Sequence, residues 1–111
     1  MKKKDLPASP HYQVFPGVSA AAFGGERAML MHAVLDHGAS VPEHSHPQEQ
    51  ISFVLEGRLA FQIAGEVCEV AAGEAVHIPA DAPHAVRALE PSVVVDVFSP
   101  VRPDLIEKLG G

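Results

Sequence analysis

Cysteine occurs once in this 111-residue chain, at Cys68, and tryptophan does not occur at all. A lone cysteine closes no internal disulfide, so the fold must be held by its own core, and the chain suits a reducing compartment. Bases are also scarce: 8 Lys and Arg stand against 14 Asp and Glu, for a formal net charge of −6. Beyond Lys2 to Lys4 there is no basic stripe, and the few aromatic residues are not interleaved with bases, so nucleic-acid binding is not expected. No apolar run approaches the roughly 18 residues of a membrane span. Asp5, Pro7, Ser9, Pro10 and His11 occupy the place where an export signal would carry its apolar segment. The expectation is a soluble cytoplasmic protein with no membrane or nucleic-acid partner.

What the chain does have is apolar content and punctuation. Hydrophobic residues make up 47%, which excludes disorder for most of the length, and ten prolines and nine glycines break the apolar runs into short pieces. That size and rhythm predict one domain of many short strands and tight turns, a sandwich or barrel. Residues 1–10 read as a charged, Pro-rich arm and residues 11–111 as the domain. Strands are expected at His11 to Phe15, Val18 to Phe23, Arg27 to Asp36, Arg58 to Ala64, Val67 to Ala71 and Ser92 to Phe98, with a short terminal helix at Pro103 to Leu109. Flanking Gly and Pro argue that the triple alanine Ala20 to Ala22 is strand rather than helix. Ala64-Gly65-Glu66 reads as the turn of a hairpin.

The chemistry gathers in Gly38 to Gly57, GASVPEHSHPQEQISFVLEG. If His44 and His46 lie on one extended strand, they share a face roughly 6–7 Å apart, near enough to converge on a divalent ion. Gln50 follows at a distance suited to a further ligand, whereas Glu49 has the opposite parity and should face outward. A second stretch, GEAVHIPADAPHAV from Gly73, supplies His84. His32 reads as a satisfied core histidine, His37 and His77 as structural or exposed, and Cys68 as without a catalytic base.

Together the two stretches resemble the paired motifs of a small cupin. Gly38, His44, His46, Gln50 and Gly57 match the first motif, with glutamine where glutamate is usual. Gly73, Pro79 and His84 match the second, with Asp81 in place of glycine and Ala88 in place of asparagine. The resemblance implies an all-β fold, the double-stranded β-helix or jelly-roll barrel, here with a short C-terminal helix. It also implies one divalent metal ion, whether zinc, nickel, manganese or iron, held by His44, His46, Gln50 and His84. Three histidines and an amide leave the ion's charge undiminished, which suits Lewis-acid chemistry on an anion better than stabilising oxidised iron.

The segment VVVDVFSPVRPD, residues 93–104, with HSHPQEQ and VLEG, is similar to the pectin-degradation cupins of the KdgF family. That likeness implies catalytic roles for Asp96 and Arg102 and a substrate wall at Phe98. The substrate would be a small-molecule sugar acid, a cyclic 4,5-unsaturated uronate converted to its linear keto form. Asp96 in a Val-rich strand must find a partner; a structural ion pair with Arg102 or Arg87 is the plain alternative. Rival functions are an iron-dependent dioxygenase and a non-enzymatic ligand-binding cupin. Apolar residues on both faces of several strands lead to an expected homodimer.

Overall fold

Alternation of small and β-branched residues with polar ones sets the architecture: ten strands and one helix in a computed structural model that describes residues 1–111. The strands are β1 (Tyr12–Phe15), β2 (Val18–Gly24), β3 (Met29–Leu35), β4 (Ser40–His44), β5 (Glu49–Glu56), β6 (Arg58–Ile63), β7 (Glu66–Ala71), β8 (Ala75–Ile78), β9 (His84–Ala88) and β10 (Ser92–Ser99). Helix α1 (Pro103–Leu109) follows, opened by its proline and closed by Gly110 at a φ of 68°. The strands form two antiparallel sheets, one of six in the order β1-β2-β3-β10-β5-β8 and one of four in the order β4-β9-β6-β7. This is the expected jelly roll, and the expected strands and helix are found with ends differing by a residue or two.

The sheets face each other across an apolar core. Leu59 and Phe61 from β6 and Val70 from β7 meet Met29, Val54, Val94 and Phe98 from the larger sheet, all buried. Truncating a buried Phe such as Phe61 to Ala costs about 3–5 kcal/mol, so this layer is where the fold's stability resides.

The alanines Ala20 to Ala22 are strand, and they are fully buried. Their small size has a cause: α1 and the chain end are pressed onto β2. A Cβ added to Gly111 would lie 2.8 Å from the Ala22 backbone, and one on Gly24 would lie 2.5 Å from Ile106. Two lysines of the first ten residues reach the same strand, Lys4 donating to the Ala22 carbonyl at 3.0 Å and Lys2 to that of Gly24.

Two turns carry the register. Ala64 and Gly65 both take positive φ, 49° and 84°, giving the tight reversal that joins β6 to β7. Gly57, at φ 83°, is the closing glycine of the first stretch; a side chain there would collide with the Pro91 carbonyl.

On β3 the inward residues Met29, Ala33 and Leu35 are buried, while Leu30 and Val34 emerge on the outer face. His32 also points outward yet is only 6% exposed, because His11 covers it, with His11 Nε2 2.8 Å from His32 Nδ1. No helix is long and apolar enough to cross a membrane.

Candidate metal centre

His44 closes β4 directly opposite His84 at the start of β9. An irregularity in β4 between Val41 and His44 sets this pairing, an offset of the kind that re-aims a side chain. The expectation that His44 and His46 share one strand is corrected here. β4 ends at His44, and His46 lies beyond it in the connection to β5. The rings converge all the same: centroids are 5.7 Å apart for His44 and His46, 4.2 Å for His44 and His84, and 4.9 Å for His46 and His84. One ligand atom from each of the three lies within 4.8 Å of the others.

Each ring is fixed through its Nδ1, which donates to a backbone carbonyl two residues away. His44 binds the Pro42 oxygen at 2.8 Å, His46 that of Gln48 at 3.0 Å, and His84 that of Ala82 at 2.8 Å. A carbonyl only accepts, so each Nδ1 carries a proton, and in the neutral ring Nε2 is the atom with the free lone pair. Burial pushes the pKa of His46 down, with Arg102 adding to the effect, and burial does the same to His84. Both shifts favour the neutral imidazole in His46 and His84, the form a metal requires.

Two features fit the trio to an ion. His84 Nε2 is buried with no hydrogen-bond partner. His46 Nε2 faces Gln50 Oε1 at 3.1 Å, so two acceptors oppose each other unless a cation lies between them. Three imidazoles and an amide oxygen form a donor set suited to zinc, nickel or iron, and the residues present therefore fit a divalent ion.

Gln50 is inward on β5 and 6% exposed. Glu49 faces outward, as expected, and its carboxylate lies 2.7 Å from His77 Nε2 on the surface. Behind Gln50 runs a buried polar chain. Gln50 Nε2 donates to Ser52 Oγ at 3.0 Å, and Ser52 Oγ donates to Asp96 Oδ1 at 2.5 Å. Asp96 sits on β10 directly across from Ser52, and desolvation raises its pKa to about 6, opposed by those hydrogen bonds and by Arg102. Asp96 thus takes neither of the structural ion pairs weighed for it; its hydrogen-bond partner is a hydroxyl.

Arg102 donates to Asp104 at 3.0 Å and lies over the Phe98 ring at 5.1 Å. Phe98 is 1% exposed and meets His46 edge-on at 5.6 Å, so it serves the core and seats both the histidine and the guanidinium. His44, Gln50, His84, Asp96, Phe98 and Arg102 all line one cavity of about 270 Å³, largely apolar otherwise. Ser52 was missed in the sequence; the period of two from Gln50 places it inward and was the available signal.

The Cupin domain family matches residues 31–98, which span both histidine stretches and β10 as far as Phe98. The chain belongs to the cupin family. Among solved structures, this cupin superposes on KdgF from a Halomonas species with a TM-score of 0.86 and 28% identity, over 94% of this chain and 99% of that one. An RmlC-like cupin from Shewanella frigidimarina shares the fold at a TM-score of 0.84 and 23% identity, over 89% and 90% of the two chains. An uncharacterized Streptomyces coelicolor protein is 34% identical over 67 residues, 60% of this chain; the match spans 64% of that relative's length. This is a KdgF-like cupin.

Proposed function

We propose that this cupin is a metal-dependent, non-redox enzyme that converts cyclic 4,5-unsaturated uronates to their linear keto forms. The observation that carries the reading is the shared cavity, lined by His44, His84, Gln50, Asp96 and Arg102, with the ring of His46 converging on the same two histidines. His44, His46, His84 and Gln50 would hold one divalent ion, which when bound polarises the substrate's oxygens. Because the four donors are neutral, the site keeps a positive charge that favours an anionic, oxygen-rich ligand.

The chain's own residues supply the rest. Arg102 offers its planar fork to the uronate carboxylate, and the Phe98 ring beneath it fixes the guanidinium plane. Ring opening removes the anomeric hydroxyl proton as the bond from the anomeric carbon to the ring oxygen breaks. That leaves an aldehyde and an enolate oxygen. Protonation of the adjacent vinyl carbon then gives the ketone. Substrate and product are isomers, so one group that accepts a proton and returns it is enough, and Asp96, a buried carboxylate lining the cavity, would be that group.

The test follows the conjugated double bond. Purified, metal-loaded protein should accelerate the loss of ultraviolet absorbance of an unsaturated uronate monomer over buffer. A folded, metal-loaded sample with no effect would refute the substrate assignment.

A further inference from the structure

The buried chain behind the histidines assigns a role to a residue outside the ligand set. We propose that Ser52 is a positioning residue that decides which end of the Gln50 amide faces the metal; this rests on the metal reading above. Ser52 is fully buried and lies between Gln50, two positions earlier on β5, and Asp96, its partner on β10. A hydroxyl carries one hydrogen. Ser52 Oγ donates it to Asp96 Oδ1, and the serine oxygen is left to accept. The group it accepts from is Gln50 Nε2, at 3.0 Å. The amide is thereby turned with its nitrogen away from the histidines and its oxygen toward them, 3.1 Å from His46 Nε2.

Without the hydroxyl, Gln50 Nε2 loses its acceptor at 3.0 Å and keeps only the Asp96 carboxylate on that side, so the opposite amide orientation gains. A half-turn of the amide would let Gln50 donate an N–H to the His46 Nε2 lone pair, a satisfied hydrogen bond in place of two opposed acceptors. That orientation presents a nitrogen with no free lone pair to the ion. A carboxylate at position 50 has two equivalent oxygens and would need no such device. Ser52 is therefore the partner that an amide ligand requires and a carboxylate ligand does not. Groups of this kind behind a ligand are worth about 10–100-fold in metal affinity.

The experiment is a cobalt(II) titration of the full chain, followed by visible absorption, for wild type, S52A, S52T, Q50E and the double variant Q50E/S52A. S52A should weaken binding by about 10–100-fold and alter the spectrum, while S52T, which keeps the hydroxyl, should follow wild type. In the Q50E background the serine change should alter affinity by no more than about twofold. Equal binding by S52A and wild type would overturn the proposal, and so would an equal loss in both backgrounds, which would mark Ser52 as merely structural. Failure of wild type to bind cobalt would overturn the metal reading itself and the proposal with it. A second measurement needs no variant: the Gln50 side-chain amide protons should show proximity to Ser52 by NMR. Proximity to the His46 ring instead would overturn the proposal.

Discussion

His46 Nε2 and Gln50 Oε1 stand 3.1 Å apart, and in the neutral ring, whose proton on Nδ1 goes to the Gln48 carbonyl, both atoms present lone pairs. Each is held there by a separate constraint, the ring by the Gln48 carbonyl and the amide by Ser52. Such an opposition is costly in a buried site and becomes favourable when both lone pairs share a cation.

A stability consequence follows. Added zinc, nickel or manganese should raise the melting temperature of the wild-type chain, and a chelator should reverse the rise. At a free metal concentration 100 times Kd the gain is about 2.7 kcal/mol. His44→Ala, His46→Ala and His84→Ala should each weaken binding at least about 100-fold and abolish most of the rise, read by calorimetry and thermal melts. A metal-induced rise that survives in His84→Ala would place the ion elsewhere.

Arg102 makes a distinct prediction because its present partner is weakly held. Asp104 is largely exposed, and such a pair contributes little in water, so a substrate carboxylate can take its place. Arg102→Lys should raise KM for the uronate about 10–100-fold while leaving the melting temperature nearly unchanged, since an ammonium cannot reproduce the fork. Asp104→Asn should lower KM by no more than about fivefold. Steady-state kinetics on both variants check the pair of outcomes.

His32 gives the fold a pH dependence of its own. Burial lowers its pKa, with the neighbouring His11 adding to the effect; its cross-strand neighbours Ala21 and Val95 carry no charge. Below about pH 6.5 the unfolded chain takes up a proton at this position that the folded chain resists. Stability is therefore full above the ordinary histidine pKa and falls as pH drops through it toward the depressed folded value. The slope from this one group is at most about 1.4 kcal/mol per pH unit. Urea unfolding at pH 7.5 and 5.5 should show a smaller loss for His32→Asn than for wild type.

The outer face of the six-stranded sheet predicts a pairing of two copies. Ile51, Phe53 and Leu55 on β5 and Leu30 and Val34 on β3 are exposed, and Val93, Val95 and Val97 on β10 lie between them in register. The same face of a second copy, related by a two-fold axis, would cover such an apolar surface. Analytical ultracentrifugation should show a dimer, and Phe53→Glu should shift it to monomer without loss of folding. A monomeric wild type would contradict this.

Much of this was legible in the sequence because strands declare their faces by a period of two. Gln50 inward and Glu49 outward, the inward face of Arg58 to Ala64, and Asp96 and Phe98 side by side all follow from parity. The reason His46 joins His44 was not legible, since it depends on where β4 ends, and strand ends are set by tertiary pairing rather than by local pattern. Nor was the partner of Asp96. A carboxylate among valines signals that a partner must exist, but Ser52 lies 44 positions away and meets it only through the register of β5 and β10.

The central claim is tested most directly by a proton NMR time course of a 4,5-unsaturated uronate monomer. The samples are metal-loaded wild type, metal-stripped wild type and metal-loaded Asp96→Asn. The account predicts rapid loss of the vinyl proton with wild type, near-background loss without metal, and a rate lower by about 10²–10⁴ for Asp96→Asn. Loss that proceeds equally without metal would contradict the role of the histidine centre. An intact vinyl signal with metal-loaded wild type, together with oxygen uptake by the iron-loaded form, would contradict the account and point to an oxygenase.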